Sequence, residues 1–458
     1  MIRIIIQYIL FYFILSIALY ADKSSLESRF TQGEERFFSR GGDVEKFPAV
    51  ERHAVNITSD NSVIAAETFF STQGHIDLAM QTYVNRPGGK HKNNVTASSR
   101  VDMKYKKDDF SIYMSLYGQQ DLWDFSTIEN RTERSFVRID EVYGKYKFEN
   151  SELMFGKNVR FWGALELRNI VDVFNPQDGR NDPFETDKLG VWNMAYTYYT
   201  QSGELSLIVK SGEQDRELSA FPYAYYYFPE AFEYTHQLNT ESSSFRPTIY
   251  LKLDGSTDTK YAVDYSFIVQ HGYDSQRYTT LDTSTLKLEE NAYLVNKFMT
   301  YNTLVVGATL MKFEGVYADV QDDKTISDYY QLGIGAEHTL SQIYNDADLG
   351  LIAEYYHYGL FENDKRDDLA LFEVFQNDLF LGFRYNFNQG NEASILSGVI
   401  LDLEYDEEAY YLEYESRISQ SFKINVDYRY LEPSKETETV YHLLQRHQRV
   451  NFKLGYYF

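Results

Sequence analysis

The repeat of short segments in which apolar and polar residues alternate constrains this fold more than any other feature. Eighteen such segments, each about ten residues long, follow one another along the sequence. In 421–431, for example, Phe422 and Ile424 alternate with Lys423 and Asn425. A period of two gives a strand with one apolar and one polar face, and many such strands in one chain are typical of a transmembrane β-barrel.

The predicted fold class is therefore all-β: a transmembrane antiparallel up-and-down β-barrel of about 18 strands, with 16 and 20 as the neighbouring possibilities. The apolar face of each strand would meet lipid and the polar face would line the lumen, so a chain of polar average composition can still be an integral membrane protein. The strands are expected near 75–84, 95–106, 109–118, 136–148, 151–160, 189–200, 203–211, 245–254, 260–271, 289–299, 303–313, 327–338, 347–358, 377–387, 396–405, 408–416, 421–431 and 448–458.

The connections between these segments alternate in length. Long ones are expected near 119–135, 161–188, 212–244, 272–288, 314–326, 359–376 and 432–447, and short ones lie between them. The connection Tyr405–Glu408 is short where the alternation calls for a long one. Short turns at one rim and long loops at the other are expected of outer-membrane barrels, in which the short turns are periplasmic. An even strand number would place both termini on the periplasmic side.

The start of the chain has the pattern of a secretory signal peptide, predicted over residues 1–21. Arg3 supplies a positive charge, an apolar run follows, and Ala21 precedes the polar Asp22. A retained membrane anchor is the alternative interpretation. Residues 22–73 are expected to form a periplasmic extension or a small plug segment, and residues 74–458 the barrel.

Composition limits the function classes. The chain contains 44 basic and 68 acidic residues, a balance that argues against a nucleic-acid partner. It contains no cysteine, which excludes disulfides and thiolate metal sites. No zinc-ligand pattern, nucleophile elbow or phosphate-binding glycine loop is present in the sequence, so we predict no catalytic residues, no metal site and no cofactor. The acidic excess suggests a pore that prefers cations, or loop carboxylates that share divalent ions with lipopolysaccharide.

The last strand has apolar residues at every second position and ends on an aromatic ring. The apolar positions are Val450, Phe452, Leu454, Tyr456 and Phe458. This strand resembles the C-terminal assembly signal of bacterial outer-membrane β-barrels. The resemblance implies that Phe452, Leu454, Tyr456 and Phe458 contact the barrel-assembly machinery.

The stretch 156–188 contains the most informative connection. Its residues Gly156, Lys157, Trp162, Gly163, Asp172, Asn175 and Pro176 resemble the G-(R/K)…W-G and D-x-x-N-P motifs of large, mostly uncharacterised porin-like outer-membrane barrels. In general porins an inward-folded loop after the fifth strand forms the constriction, and this loop has the same ordinal position, which supports a similar role by analogy. A structured extracellular loop without a transport role is the alternative.

Within this loop, Leu165, Ile170 and Phe174 fall at roughly helical spacing, which predicts a short amphipathic helix that Pro176 ends. The polar side of that helix, with Glu166, Arg168 and Asp172, would face the pore. The candidate constriction residues are Arg160, Trp162, Glu166, Arg168, Asp172, Asn175, Asp178 and Arg180.

The loop 212–244 contains a run of aromatic residues. Tyr223, Tyr225, Tyr226 and Tyr227 are candidates for stacking on a solute at the pore mouth. The alternative is that these rings pack the loop against the barrel rim.

The function that these patterns favour is an outer-membrane channel through which small solutes diffuse. Two alternatives belong to other classes. A barrel-borne hydrolase of the protease or lipase type would build its site from residues far apart in sequence. A closed barrel that acts as an adhesin or structural anchor would have a blocked lumen.

Overall fold

The computed structural model describes residues 68–84, 89–126, 131–182, 184, 187–226, 228–257, 261–321, 326–361, 375–435, 439–444 and 447–458. The predicted signal peptide at 1–21 and most of the predicted extension lie outside the described residues.

Eighteen strands form one closed antiparallel sheet. They are β1 (Thr68–Tyr83), β2 (Asn93–Lys107), β3 (Phe110–Asp121), β4 (Phe136–Lys147), β5 (Ser151–Asn158), β6 (Val191–Tyr199), β7 (Gly203–Lys210), β8 (Thr248–Thr257), β9 (Ala262–Tyr273), β10 (Leu294–Val306), β11 (Thr309–Gln321), β12 (Tyr329–Tyr344), β13 (Ala347–Leu360), β14 (Asn377–Asn386), β15 (Ser394–Asp402), β16 (Glu408–Arg417), β17 (Phe422–Glu432) and β18 (Gln448–Tyr457). Each strand pairs with the next along the chain, and β18 pairs with β1. The predicted up-and-down barrel of eighteen strands is therefore confirmed.

The first strand begins earlier than the barrel boundary expected at residue 74. It starts at Thr68, because residues 68–73 pair with residues 102–107 of β2. The stretch 68–73 thus belongs to the barrel wall and not to the predicted extension.

The two faces of the sheet follow the alternation of the sequence. On β18, Val450 and Phe452 are about 40% exposed on the outer surface, whereas Arg449 and Asn451 point into the barrel and are buried. A charge on the outer face at mid-membrane depth would cost roughly 2–4 kcal/mol. The strand is therefore compatible with lipid only when its apolar face points outward and its polar face points into the barrel.

The connections sort by length between the two rims. The rim that we call the short-turn rim holds 108–109, 148–150, 200–202, 258–261, 307–308, 345–346, 387–393 and 418–421. At the opposite rim, the long-loop rim, the strand ends are joined by 84–92, 122–135, 159–190, 211–247, 274–293, 322–328, 361–376, 403–407 and 433–447. The connection 403–407 is short at the long-loop rim, as its sequence indicates.

Several loops contain structure of their own. Residues Glu233–Thr240, Lys287–Ala292 and Tyr278–Asp282 form a three-stranded sheet, and Asp178–Gly179 pairs with Glu217–Leu218. Leu122–Phe125 is a 3-10 helix and Val440–Leu444 is a short α-helix. In the part of the chain that the structure describes, no helix has the length and apolar character needed to cross a membrane.

The hydrophobic core lies inside the barrel, between the loops and the wall. Val171 and Phe174 of the loop 159–190 are fully buried there, together with Tyr250, Tyr293 and Tyr356 of the wall and the neighbouring loop. The loops thus occupy part of the lumen, and a cavity remains beside them.

Candidate functional site

A cavity of about 910 Å³ lies inside the barrel, between the loop 159–190 and the wall. Ten acidic and nine basic side chains line it, together with tyrosine and phenylalanine rings. Asp254 and Asp264 lie at the short-turn end, near the end of β8 and the start of β9. Arg138 and Arg449 lie at the long-loop end, each at the start of its strand. The lining thus carries charged side chains at both ends, and its net charge is close to zero.

The loop 159–190 enters this interior from between β5 and β6. Its residues Phe161, Gly163–Leu167 and Asn169 line the cavity, as do Asn181 and Asp182 further along. The described residues of this loop thus line the inside of the barrel.

The predicted helix in this loop does not form: residues 159–176 contain a hydrogen-bonded turn, in which the Asp172 N–H donates to the Asn169 carbonyl at 3.2 Å, and no helix. The reason is that the backbone N–H groups of residues 164–168 bond to side chains of the barrel wall instead of to carbonyl groups of a preceding turn. Ala164 and Leu165 donate to Glu314 Oε1 at 2.6 and 3.1 Å, and Glu166 donates to Glu354 Oε1 at 2.7 Å. The apolar spacing reflects burial against the wall and not a helical face.

Asn175 closes the base of the loop. Its side-chain N–H donates to the carbonyl groups of Asn158 at 3.0 Å and Leu189 at 2.9 Å, and its Oδ1 accepts from the Arg160 N–H at 2.8 Å. The amide thus ties the two ends of the loop together where they leave the wall.

A buried ion pair, Asp172 with Lys188, lies beside this amide. Burial raises the pKa of the Asp172 carboxyl and lowers the pKa of the Lys188 amine, and the attraction between the two opposes both shifts. Trp162 packs nearby against Phe174 and Tyr250, with ring centroids 5.5 and 5.4 Å away. The W-G and D-x-x-N-P residues therefore build the core of the loop base.

Two further carboxylates of the loop contact arginines of the wall. Asp178 contacts Arg138 and accepts two hydrogen bonds from Arg180 at 2.7 and 2.8 Å. Burial opposes its ionisation, but the hydrogen bonds and charges of the two arginines outweigh burial and lower the pKa of Asp178 to about 2. Asp182 accepts from Arg429 at 2.7 Å and from Arg449 at 2.8 Å.

The eight candidate constriction residues separate into two groups. Glu166 lines the cavity and accepts a hydrogen bond from Arg384 at 2.6 Å. The others pack behind the lining, in the loop base or against the wall: Arg160, Trp162, Arg168, Asp172, Asn175, Asp178 and Arg180.

The aromatic run of the loop 211–247 also lies inside protein. Tyr223, Tyr225 and Tyr226 are at most 4% exposed, so their faces are covered by protein and are not open to a solute. The Tyr223 hydroxyl donates to the Asn181 carbonyl at 2.6 Å and lies 3.0 Å from the Tyr83 hydroxyl of β1. This arrangement is the packing alternative, and Tyr227 lies outside the described residues.

The wall residues that hold the loops were not among the sequence candidates. Glu314 and Glu354 lie at inward positions of β11 and β13, and Arg384 lies on β14. Their alternation indicates that they face the lumen, but nothing in the sequence links them to a loop about 150 to 220 residues away. The sequence shows that these residues are charged and face the lumen, but it does not show which loop residues they contact.

No protein-family model matches the chain, and no curated protein sequence matches it. The structure of Acinetobacter baumannii OccAB4 matches with a TM-score of 0.52 and 10% identity, over 85% of this chain and 98% of that one. Acinetobacter baumannii OccAB2 matches with a TM-score of 0.50, 10% identity and the same coverage. Pseudomonas aeruginosa OpdK, solved with vanillate, has a TM-score of 0.49 and 9% identity. The chain therefore has the closed eighteen-stranded barrel fold of porin-like outer-membrane proteins.

Proposed function

We propose that this protein is an outer-membrane channel through which small solutes diffuse. The observation that carries the proposal is the cavity of about 910 Å³, lined by charged and aromatic side chains, inside a barrel with an apolar outer face. A barrel of eighteen strands is wide enough for an aqueous channel unless loops fill it, and here the loops leave this cavity between them and the wall.

The loop 161–188 would form the constriction of this channel. Glu166 projects from it into the cavity and meets Arg384 of the wall, while Glu337 lies 3.7 Å from the same guanidinium. Lys312 lies 3.6 Å from Glu337. A solute that passes the loop would meet both signs of charge within one short stretch.

The cation preference expected from the acidic excess would be weak in such a channel. Ten acidic and nine basic residues line the cavity, so most of the net charge of −24 lies elsewhere on the chain. Asp254 and Asp264 would favour cations at the short-turn end, and Arg138 and Arg449 would oppose them at the long-loop end.

The orientation follows the rule for outer-membrane barrels, with the short-turn rim and both termini in the periplasm. The long loops would then meet lipopolysaccharide, and the outer face would meet membrane lipid. Phe452, Leu454 and Tyr456 lie on the outward face of β18, and Phe458 follows them, where the assembly machinery would contact them.

A closed barrel is the second candidate, since the loop 211–247 crosses the interior from β7 to reach Tyr83 of β1. An adhesin or structural anchor would use such a cover permanently. We also propose that the protein has no enzymatic activity, as the sequence leads us to expect.

Single-channel recording of the refolded protein in a planar bilayer under a KCl gradient tests the proposal. Folding is checked first by the mobility shift between unheated and boiled samples on a detergent gel. A channel gives stable conductance steps with a reversal potential near zero, slightly towards cations. Folded protein without steps would overturn the channel and favour the closed barrel.

A further inference from the structure

The barrel wall carries a docking site for the inward loop, which we call the loop socket. It consists of Glu314 on β11, Gly333 and Gly335 on β12, and Glu354 on β13. The two glutamates are at most 1% exposed. Burying a carboxylate costs free energy unless hydrogen bonds or opposite charges compensate it. The groups that bond to these two carboxylates therefore indicate the role of the socket.

The partners are backbone N–H groups of the loop. Glu314 accepts from Ala164 and Leu165 through Oε1, and from Val171 through Oε2 at 3.3 Å. Glu354 accepts from Glu166 at 2.7 Å and from Leu167 at 3.1 Å.

Two neighbouring groups of the wall complete this pattern. The Tyr356 hydroxyl donates to Glu354 at 2.6 Å and accepts from the Arg168 N–H at 3.1 Å. Lys312 lies 3.6 Å from Glu354. Five N–H groups of a segment without secondary structure thus converge on two carboxylates.

The glycines of the socket receive the side chain of Leu165. A Cβ added to Gly333 would lie 2.4 Å from Leu165 Cδ1, and one added to Gly335 would lie 2.9 Å from Cδ2. Both distances are too short for any side chain, so the wall is hollowed at the point where the loop contacts it. Leu165 is 5% exposed in this hollow.

We propose that Glu314 and Glu354 are positioning residues that set the cross-section of the channel by holding the loop in the socket. This inference rests on the proposed channel function. The loop contacts the wall here mainly through bonds from its backbone N–H groups to wall side chains, through Leu165 and through the Glu166–Arg384 pair, and not through continuous strand pairing. Weakening these bonds releases the loop tip, and with it Glu166, from the middle of the cavity.

The test is the double substitution Glu314→Gln with Glu354→Gln. A carboxamide has nearly the same shape, but it replaces one acceptor oxygen with an N–H₂ group that points at the N–H donors of the loop. In the double variant, the fraction of time that the channel spends in a wider, noisier conductance state is expected to rise at least tenfold. The reason is that losing hydrogen bonds to a charged acceptor costs more than about 1.4 kcal/mol.

Glu337→Gln is the matched control. Glu337 lines the cavity, and its substitution removes one carboxylate, as each of the two socket substitutions does, but its partners are Lys312 and Arg384. Its substitution is expected to alter ion preference without the wider state. Both variants are first shown to be folded by the unheated-against-boiled mobility shift.

A covalent rescue separates loop release from any other defect. Leu165→Cys with Gly333→Cys joins the loop to the socket, and the chain has no other cysteine. The disulfide is expected to form and to return the channel of the double glutamine variant to the narrower, wild-type conductance state. A reductant is expected to break the disulfide and restore the wider state.

Different results would contradict the proposed channel function and the proposed role of the loop socket. A folded wild-type protein without conductance overturns the channel. Wild-type conductance that persists unchanged in the double glutamine variant, or a cysteine pair that does not cross-link, overturns the socket.

Discussion

Gly74 and Phe458 exchange two backbone hydrogen bonds across the seam that closes the barrel. The Gly74 N–H donates to the Phe458 carbonyl at 3.1 Å, and the Phe458 N–H donates to the Gly74 carbonyl at 3.0 Å. The aromatic ring of Phe458 lies on the glycine: a Cβ added there would be 2.6 Å from its Cζ. Pairing of β1 with β18 continues from His75 with Tyr457 to Tyr83 with Arg449.

Gly74→Ala is expected to destabilise the closed barrel. The added methyl group would meet the Phe458 ring and also the Arg100 carbonyl oxygen, 2.5 Å away, so trimming the ring alone does not relieve it. Overpacking of this kind costs about 1–3 kcal/mol. The temperature at which the folded band disappears on a detergent gel should fall.

Gly390→Ala serves as the control, because nothing lies within 4 Å of the position where its Cβ would stand. Equal melting temperatures for the two variants would contradict the role of the Gly74–Phe458 contact.

The sequence predicts the barrel well because the alternation of each strand is a local property. Segment 421–431 needs no distant partner to show which residues face outward, and neighbouring strands pair in chain order. The path of the loop is different. Ala164 and Glu314 are 150 residues apart, and their contact exists only once eighteen strands have closed.

The difference between local patterns and distant contacts also explains why the predicted helix does not form and why most of the predicted pore residues do not line the cavity. The spacing of Leu165 and Ile170 is compatible with a helix, but two wall carboxylates bind the N–H groups that a helix would use. Asp172 and Asn175 are polar, which suggested exposure, yet each is satisfied inside the loop base. Polarity alone does not separate a lumen residue from a buried, hydrogen-bonded one.

Tyr223→Ala is expected to loosen the cover formed by the loop 211–247. The Tyr223 ring is fully buried, its hydroxyl bonds to Asn181, and the Arg134 guanidinium lies 4.0 Å from its centroid. Removing a buried aromatic ring costs about 3–5 kcal/mol. Hydrogen exchange over 219–226 should become faster, whereas Phe245→Ala in the same loop should leave it unchanged, since Phe245 is 85% exposed.

Lys188→Met is expected to destabilise the protein strongly, by about 3–5 kcal/mol, because it leaves the Asp172 carboxylate buried without its cation. The double variant Lys188→Met with Asp172→Leu removes both charges and should recover most of the loss. Thermal unfolding followed by circular dichroism measures both effects. Equal losses in the single and the double variant would contradict the pairing.

Asp254→Asn with Asp264→Asn is expected to shift the reversal potential of the channel towards anions. The lining would then hold eight acidic and nine basic side chains in place of ten and nine. Asp282→Asn with Asp346→Asn removes the same charge from residues that do not line the cavity, and it should leave the potential unchanged. A shift of equal size in both would show that the overall charge, and not the lining, controls selectivity.

His447→Gln is expected to make the protein less sensitive to acid. His447 is fully buried, its ring stacks on Tyr225 at 4.4 Å, and neither ring nitrogen has a hydrogen-bond partner in the part of the chain that the structure describes. Burial, reinforced by the positive charge of Arg449 and opposed by Asp182, lowers the pKa of His447 to about 3.

An unfolded chain has an ordinary histidine pKa near 6.5, so between about pH 6.5 and pH 3 the unfolded state binds a proton that the folded state does not. Folding stability attributable to His447 is therefore complete above pH 6.5 and falls as the pH drops towards 3. Melting temperatures at pH 7.5 and pH 4.5 should differ less in His447→Gln than in the wild type. His271→Gln, on the exposed outer surface, should keep the wild-type difference. A wild-type difference that survives in His447→Gln would assign the acid sensitivity to the carboxylates.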